Sequence, residues 1–167
     1  ITQAAKIILF CKQEDQPSAK ALFESIQSPG LYSRSAFYEY LPDHAELSSI
    51  YESSSHCLGE AELCAIVRGC LTTNNFALAA DVSDLSVKRY SSINSRFLEA
   101  ISKVNNLLQG RYIHFWNISA TQKKELFEWA DKLSALLNES EGLDTRIVGL
   151  AGHVCHFCYG EHQGLLE

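Results

Sequence analysis

The chain has no methionine, only three prolines and no run of clustered lysine and arginine. The missing basic patch argues against a nucleic-acid partner, because phosphate binding rests on grouped positive charge. The balance is acidic instead, with a formal charge of -6 and a pI near 5.5. No apolar run approaches the roughly 18 residues that would cross a bilayer, and the longest clean one, from Ile7 to Cys11, is strand-sized. No Gly-x-Gly-x-x-Gly follows an early apolar run, and no P-loop or Gly-x-Ser-x-Gly elbow is present. Dinucleotide binding, P-loop nucleotide binding and α/β-hydrolase chemistry therefore lose their usual support. The absence of methionine by itself excludes nothing. No signal peptide is recognisable, and a start at Ile1 with an ending at Leu166-Glu167 reads as a processed or excised form.

What remains is ordinary globular composition. Hydrophobic residues make up 46% and charged residues 20% of 167 residues, enough apolar surface to offset the entropy of ordering. The length suits one domain over 1–167. Six cysteines stand at positions 11, 57, 64, 70, 155 and 158. A chain of this size needs no disulfide staples, so buried free thiols are as acceptable as pairs. Asn-x-Ser sequons at Asn117 and Asn138 are about as many as chance provides in a serine-rich chain. A cytoplasmic location is expected.

Segments 6–11, 75–82, 111–118 and 145–151 read as strands, each a short apolar run followed by polar residues. The aromatic stretch 31–40 reads as a further strand. It would be either an amphipathic strand with one face in the core or an exposed recognition or dimerisation edge. Between these runs the apolar spacing is helical. Ala19, Leu22, Phe23 and Ile26 share a face, as do Leu47, Ile50 and Tyr51 after a helix entry at Asp43. A helix over 59–71 follows, then one over 87–108 and one over 121–138, the last with Ser119 or Thr121 as cap and Glu125 completing a box. This alternation predicts an α/β fold: a three-layer sandwich with a mostly parallel central sheet of about four or five strands, Rossmann-like or flavodoxin-like.

In such a sheet, ligands bind outside the carboxyl ends of the strands. Those ends would bring Cys11, Asp81 and Asn117 to one rim as candidate cofactor-binding residues. The segment from Asp81 to Ser86 is similar to the Asp-x-Ser-x-Ser of von Willebrand A-type metal sites, with Leu85 out of pattern. Its simpler reading is a helix cap from Asp84 or Ser86. The rim would be completed by the densest group of donors in the chain, His153, Cys155, His156 and Cys158. Thiolate and imidazole at that spacing suit zinc. The expected function is therefore a small α/β protein with a metal or ligand site at the strand ends, taking a small molecule or protein as partner. Two alternatives stand beside it. One is a thiol-disulfide oxidoreductase acting through Cys155-x-x-Cys158. The other is a non-catalytic interaction domain whose cysteines are packing residues. No reaction is specified, so enzymatic activity stays open.

Overall fold

A computed structural model describes residues 2–40, 43–109 and 119–139. Every regular element among them is an α-helix. In chain order these are α1 (Gln3–Lys12), α2 (Gln16–Glu24), α3 (Leu31–Tyr40), α4 (His44–Ser54), α5 (Glu60–Thr72), α6 (Phe76–Tyr90), α7 (Ile93–Leu108) and α8 (Ala120–Glu139). The expected α/β sandwich is therefore corrected: among the described residues there is neither a strand nor a sheet.

The reasons are local. The apolar run 6–11 belongs to α1, where Ala4, Ile7, Ile8 and Cys11 turn inward at helical spacing. A six-residue window is too short to show that period. The run 75–82 opens α6, and its alanines favour a helix. The buried positions of α6 include Phe76, Ala79, Ala80, Ser83 and Ser86, so serines occupy core sites and disguise the period. In α3, Ser33 does the same beside Ala36 and Phe37. Asp84 and Ser86 cap nothing, because both lie inside α6. The helix expected over 87–108 is in fact divided. The chain turns through a left-handed Ser91, and Ser92 caps α7 by accepting from the Ser95 N–H at 3.1 Å. The expected strands 111–118 and 145–151 lie outside the described residues.

Other starts and stops follow ordinary capping chemistry. Thr2, Asp15 and Asp43 accept from backbone N–H groups in the first turns of α1, α2 and α4. The Glu62 carboxylate accepts from the Gly59 N–H at 3.0 Å to close the start of α5. At α8, Ser119 and Gln122 cap each other reciprocally, so the partner in the box is Gln122 and not Glu125.

The substantial helix contacts join only helices one or two apart in chain order. The odd helices form a continuous series: α1 against α3, α3 against α5, α5 against α7. Helix α6 packs on α5 and α7, α8 on α7, α2 on α1 and α4 on α5. The core is accordingly divided into three clusters. The first is built on Ile7, Ala19, Ala36 and Phe37, with Phe23 stacked on Phe37 at 4.1 Å between ring centroids. The second centres on Leu47, Leu63, Ile66, Val67 and Val82. The third joins Phe97, Ile101 and Val104 to Leu126, Ala130 and Leu133. Tyr38 and Ile50 bridge the first two, and Leu71 bridges the last two. This is the packing logic of helical arrays, in which each unit buries its face on its neighbours.

The tightest approach is between α3 and α5. A Cβ on Gly69 would lie 2.4 Å from the Tyr38 carbonyl oxygen. Two ion pairs flank this point: Arg34 to Glu62 at 2.6 Å and Arg68 to Glu39 at 2.9 Å. Positions rise together along both helices, so α3 and α5 run parallel and α4 returns the chain between them.

Alanine in place of an interior helical glycine ordinarily gains about 1 kcal/mol from propensity. At Gly69 the obstacle is a backbone oxygen that cannot rotate aside, and overpacking of this kind costs about 1–3 kcal/mol. Gly69→Ala should therefore lower the urea midpoint. Gly30→Ala, where an added Cβ meets nothing within 4 Å, should lower it less, by the loss of a favoured N-cap residue alone.

Candidate functional site

Of the residues expected at a common rim, Cys11 and Asp81 are described, and they belong to different parts of the stack. Cys11 sits in the last turn of α1 and belongs to the first cluster. Asp81 is exposed on α6, which packs in the second. Asn117, His153, Cys155, His156 and Cys158 lie outside the described residues. Among the described residues no group of three or more His, Cys, Asp or Glu side chains could hold a metal. With no strands there, a zinc or ligand site at strand ends has no frame, and that expectation is corrected.

The site the helices do build is a groove of about 460 Å³ running across α1, α3 and α5 to the first turn of α7. Each helix contributes one stripe at i, i+3 or i+4 spacing. Ala4 and Ile8 come from α1; Tyr32, Ser35, Ala36, Glu39 and Tyr40 from α3. Glu60, Ala61, Cys64 and Arg68 come from α5, and Asn94 from α7. A second hollow continues it past Ala4, Ile8 and Tyr32 toward Thr2, Gly30 and Ser33. Alanines line the floor, so an incoming chain can approach the helix backbones closely.

One large aromatic side chain of the lining stands open to solvent. Tyr32 is 83% exposed, and Leu9 and Leu31 are also exposed on α1 and α3. Three of the four large apolar side chains exposed among the described residues thus stand on two groove-forming helices. Scattered single exposures such as Leu9 and Leu31 need no explanation, but an exposed aromatic that itself lines a groove is a candidate contact for a partner. Tyr32 falls in the aromatic stretch that the sequence offered as a recognition edge. The stretch is a helix rather than a strand edge.

The polar end of the groove is a network between α5 and α7. The Glu60 carboxylate accepts from the Ser92 and Ser95 hydroxyls through one oxygen, Oε1. The Ser86 and Ser95 hydroxyls lie 2.7 Å apart, and the Cys64 thiol is 3.9 Å from Ser95. At the other end, Arg68 is held by Glu39 with only 15% and 12% of the side chains exposed. Two buried polar atoms of the lining, Ser35 Oγ and Arg68 Nε, have no hydrogen-bond partner among the described residues.

Three of the described thiols, Cys11, Cys64 and Cys70, are shifted away from reactivity. Burial pushes Cys64 up, against the lowering effect of Ser95 and Arg68. Burial alone pushes Cys70 up to about 12. Burial likewise raises Cys11. A reactive thiol needs the opposite shift. Cys57 is the exposed one, donating to the Ser54 carbonyl at 3.1 Å.

No helix among the described residues is long and apolar enough to cross a membrane. No family model matches the chain, and no curated protein and no solved structure matches it at a significant level.

Cys64 and Cys70 bind their protons more tightly folded than unfolded, so the unfolded chain loses protons first as pH rises. Their contribution to stability is complete below their ordinary value of 9.0 and declines as pH climbs toward about 12. Urea midpoints should fall across that window, and Cys70→Val should flatten the fall. At neutral pH, mass-mapped alkylation should label Cys57 at once and Cys64 and Cys70 only on unfolding.

Proposed function

We propose that the chain is a non-catalytic protein-interaction module, a short helical stack whose binding surface is the groove across α1, α3 and α5. The single observation that carries this is that Tyr32, 83% exposed, lines the groove beside apolar Ile8 and Ala36. Helices arranged in chain-order series offer extended surfaces of this type, and tyrosine supplies large contact area at low entropic cost. The lining supports binding more than turnover. Its one thiol is held neutral by burial, its Ser35 hydroxyl is hydrogen-bonded to no base among the described residues, and no described histidine lines it. The buried positions of Cys64 and Cys70 support packing roles for those two residues.

A photo-crosslinking amino acid tests the surface directly. Placed at position 32 in cells, it should give a discrete protein adduct that Ala61→Arg abolishes by filling the groove. Placed at Lys124, exposed on α8, it should give none. Indistinguishable adducts from the two positions would sink the reading.

A further inference from the structure

The groove has a charge that nothing in it answers. Glu60 presents a half-buried carboxylate to the lining. Both hydrogen bonds it accepts, from Ser92 and Ser95, go to Oε1. Its Oε2 accepts none among the described residues, and no cation there pairs with Glu60. The one cation in the lining, Arg68, is already committed to Glu39. A carboxylate partly withdrawn from water gains from an opposite charge far more than one on an open surface.

The second observation is register. Helices α3 and α5 run parallel, with Arg34 level with Glu62 and Glu39 level with Arg68. Tyr32 in the first turn of α3 and Glu60 in the first turn of α5 therefore stand at the same end of the groove. An aromatic face beside a carboxylate is the environment that favours an ammonium or guanidinium group, through the ring quadrupole and the formal charge together. Beside them, Ile8, Ala36 and Ala61 offer apolar contact, and the Arg68–Glu39 pair closes the far side.

We propose, resting on the interaction-module reading, that the groove seats a segment of a partner protein that places a lysine or arginine side chain between Tyr32 and Glu60 and lays apolar side chains over Ile8, Ala36 and Ala61. A protein segment fits better than a free amine. The groove continues past the charged end into the hollow lined by Ala4, Ala5 and Gly30, which a compact cation would leave empty.

Three otherwise identical fluorescent alanine/leucine peptides, carrying lysine, glutamine or glutamate at one position, test this by anisotropy on the full chain. The lysine peptide should bind about tenfold more tightly than the glutamine peptide, and the glutamate peptide least. Its advantage should shrink as salt rises from about 50 to about 500 mM. Glu60→Gln keeps an acceptor for Ser92 and Ser95 but removes the charge; it should abolish the lysine preference while leaving the glutamine peptide unchanged. Tyr32→Ala, at an exposed position that folding does not need, should weaken the lysine peptide more than the glutamine peptide. Equal binding of lysine and glutamine peptides, both lost in Ala61→Arg, would overturn the cation inference and leave the interaction module standing. Binding of no peptide, or binding indifferent to Ala61→Arg, would overturn both. Competition by 1,5-diaminopentane at concentrations equal to the lysine peptide would replace the protein segment with a free amine.

Discussion

The close passage of α5 over α3 at Gly69 is the constraint on which the rest of the arrangement depends. Only a residue without a side chain lets α5 approach the Tyr38 carbonyl this closely. That approach brings Arg34 to Glu62 and Arg68 to Glu39, and the two pairs fix the helices in parallel register. Glu62 is almost fully buried and also closes the start of α5, so one carboxylate serves both the end of a helix and the contact between two. Removing the cation from a nearly buried carboxylate such as Glu62 leaves an unpaired charge and is expensive. The groove is the direct result. Its stripes from α3 and α5 line up because those two helices cannot slide.

A second theme is the use of serine as a core residue. Ser33, Ser83, Ser86, Ser95 and Ser102 are all buried on helices. Some are satisfied locally, as when the Ser83 hydroxyl donates to the Ala80 carbonyl at 2.8 Å. Ser86 and Ser95 instead join one another across the α6–α7 interface and connect onward to Glu60 and Cys64. Small side chains let helices approach, and a connected hydroxyl network avoids the cost of buried polar atoms left alone. The negative end of the groove is thus anchored from inside the stack rather than set on a mobile surface.

The same serines explain what could and could not be read from the amino-acid order. Helices α2, α4, α5 and α8 were legible, because their apolar positions keep an unbroken helical period and Asp43 and Ser119 announce starts. Helices α1, α3 and the beginning of α6 were mistaken for strands. In α3 and α6 the inward positions are part serine, and in α1 the apolar run spans less than two turns. The sandwich inferred from those strands failed with them, and so did the rim of Cys11 and Asp81. That the aromatic stretch puts one face in the core was expected, and Ala36 and Phe37 are buried, but its helical form was not expected. The groove itself was not, since it exists only once α1, α3 and α5 stand side by side. The local signal was present in the spacing of Tyr32, Ser35, Ala36 and Glu39, but a stripe of mixed chemistry on one helix does not reveal what faces it.

The series packing carries a last implication. With three clusters that share Tyr38, Ile50 and Leu71 among the described residues, each helix depends first on its neighbours in the series. Helix α8 can detach from α7 without disturbing α3, and α1 with α2 can loosen without dissolving the centre. Stability is then a gradient that peaks around α5, α6 and α7. The groove straddles that gradient, with one wall on the firm centre and the other on the terminal helix pair. An occupant touching both walls would tether the weaker end to the stronger, so binding and the ordering of the first helices would be a single thermodynamic event.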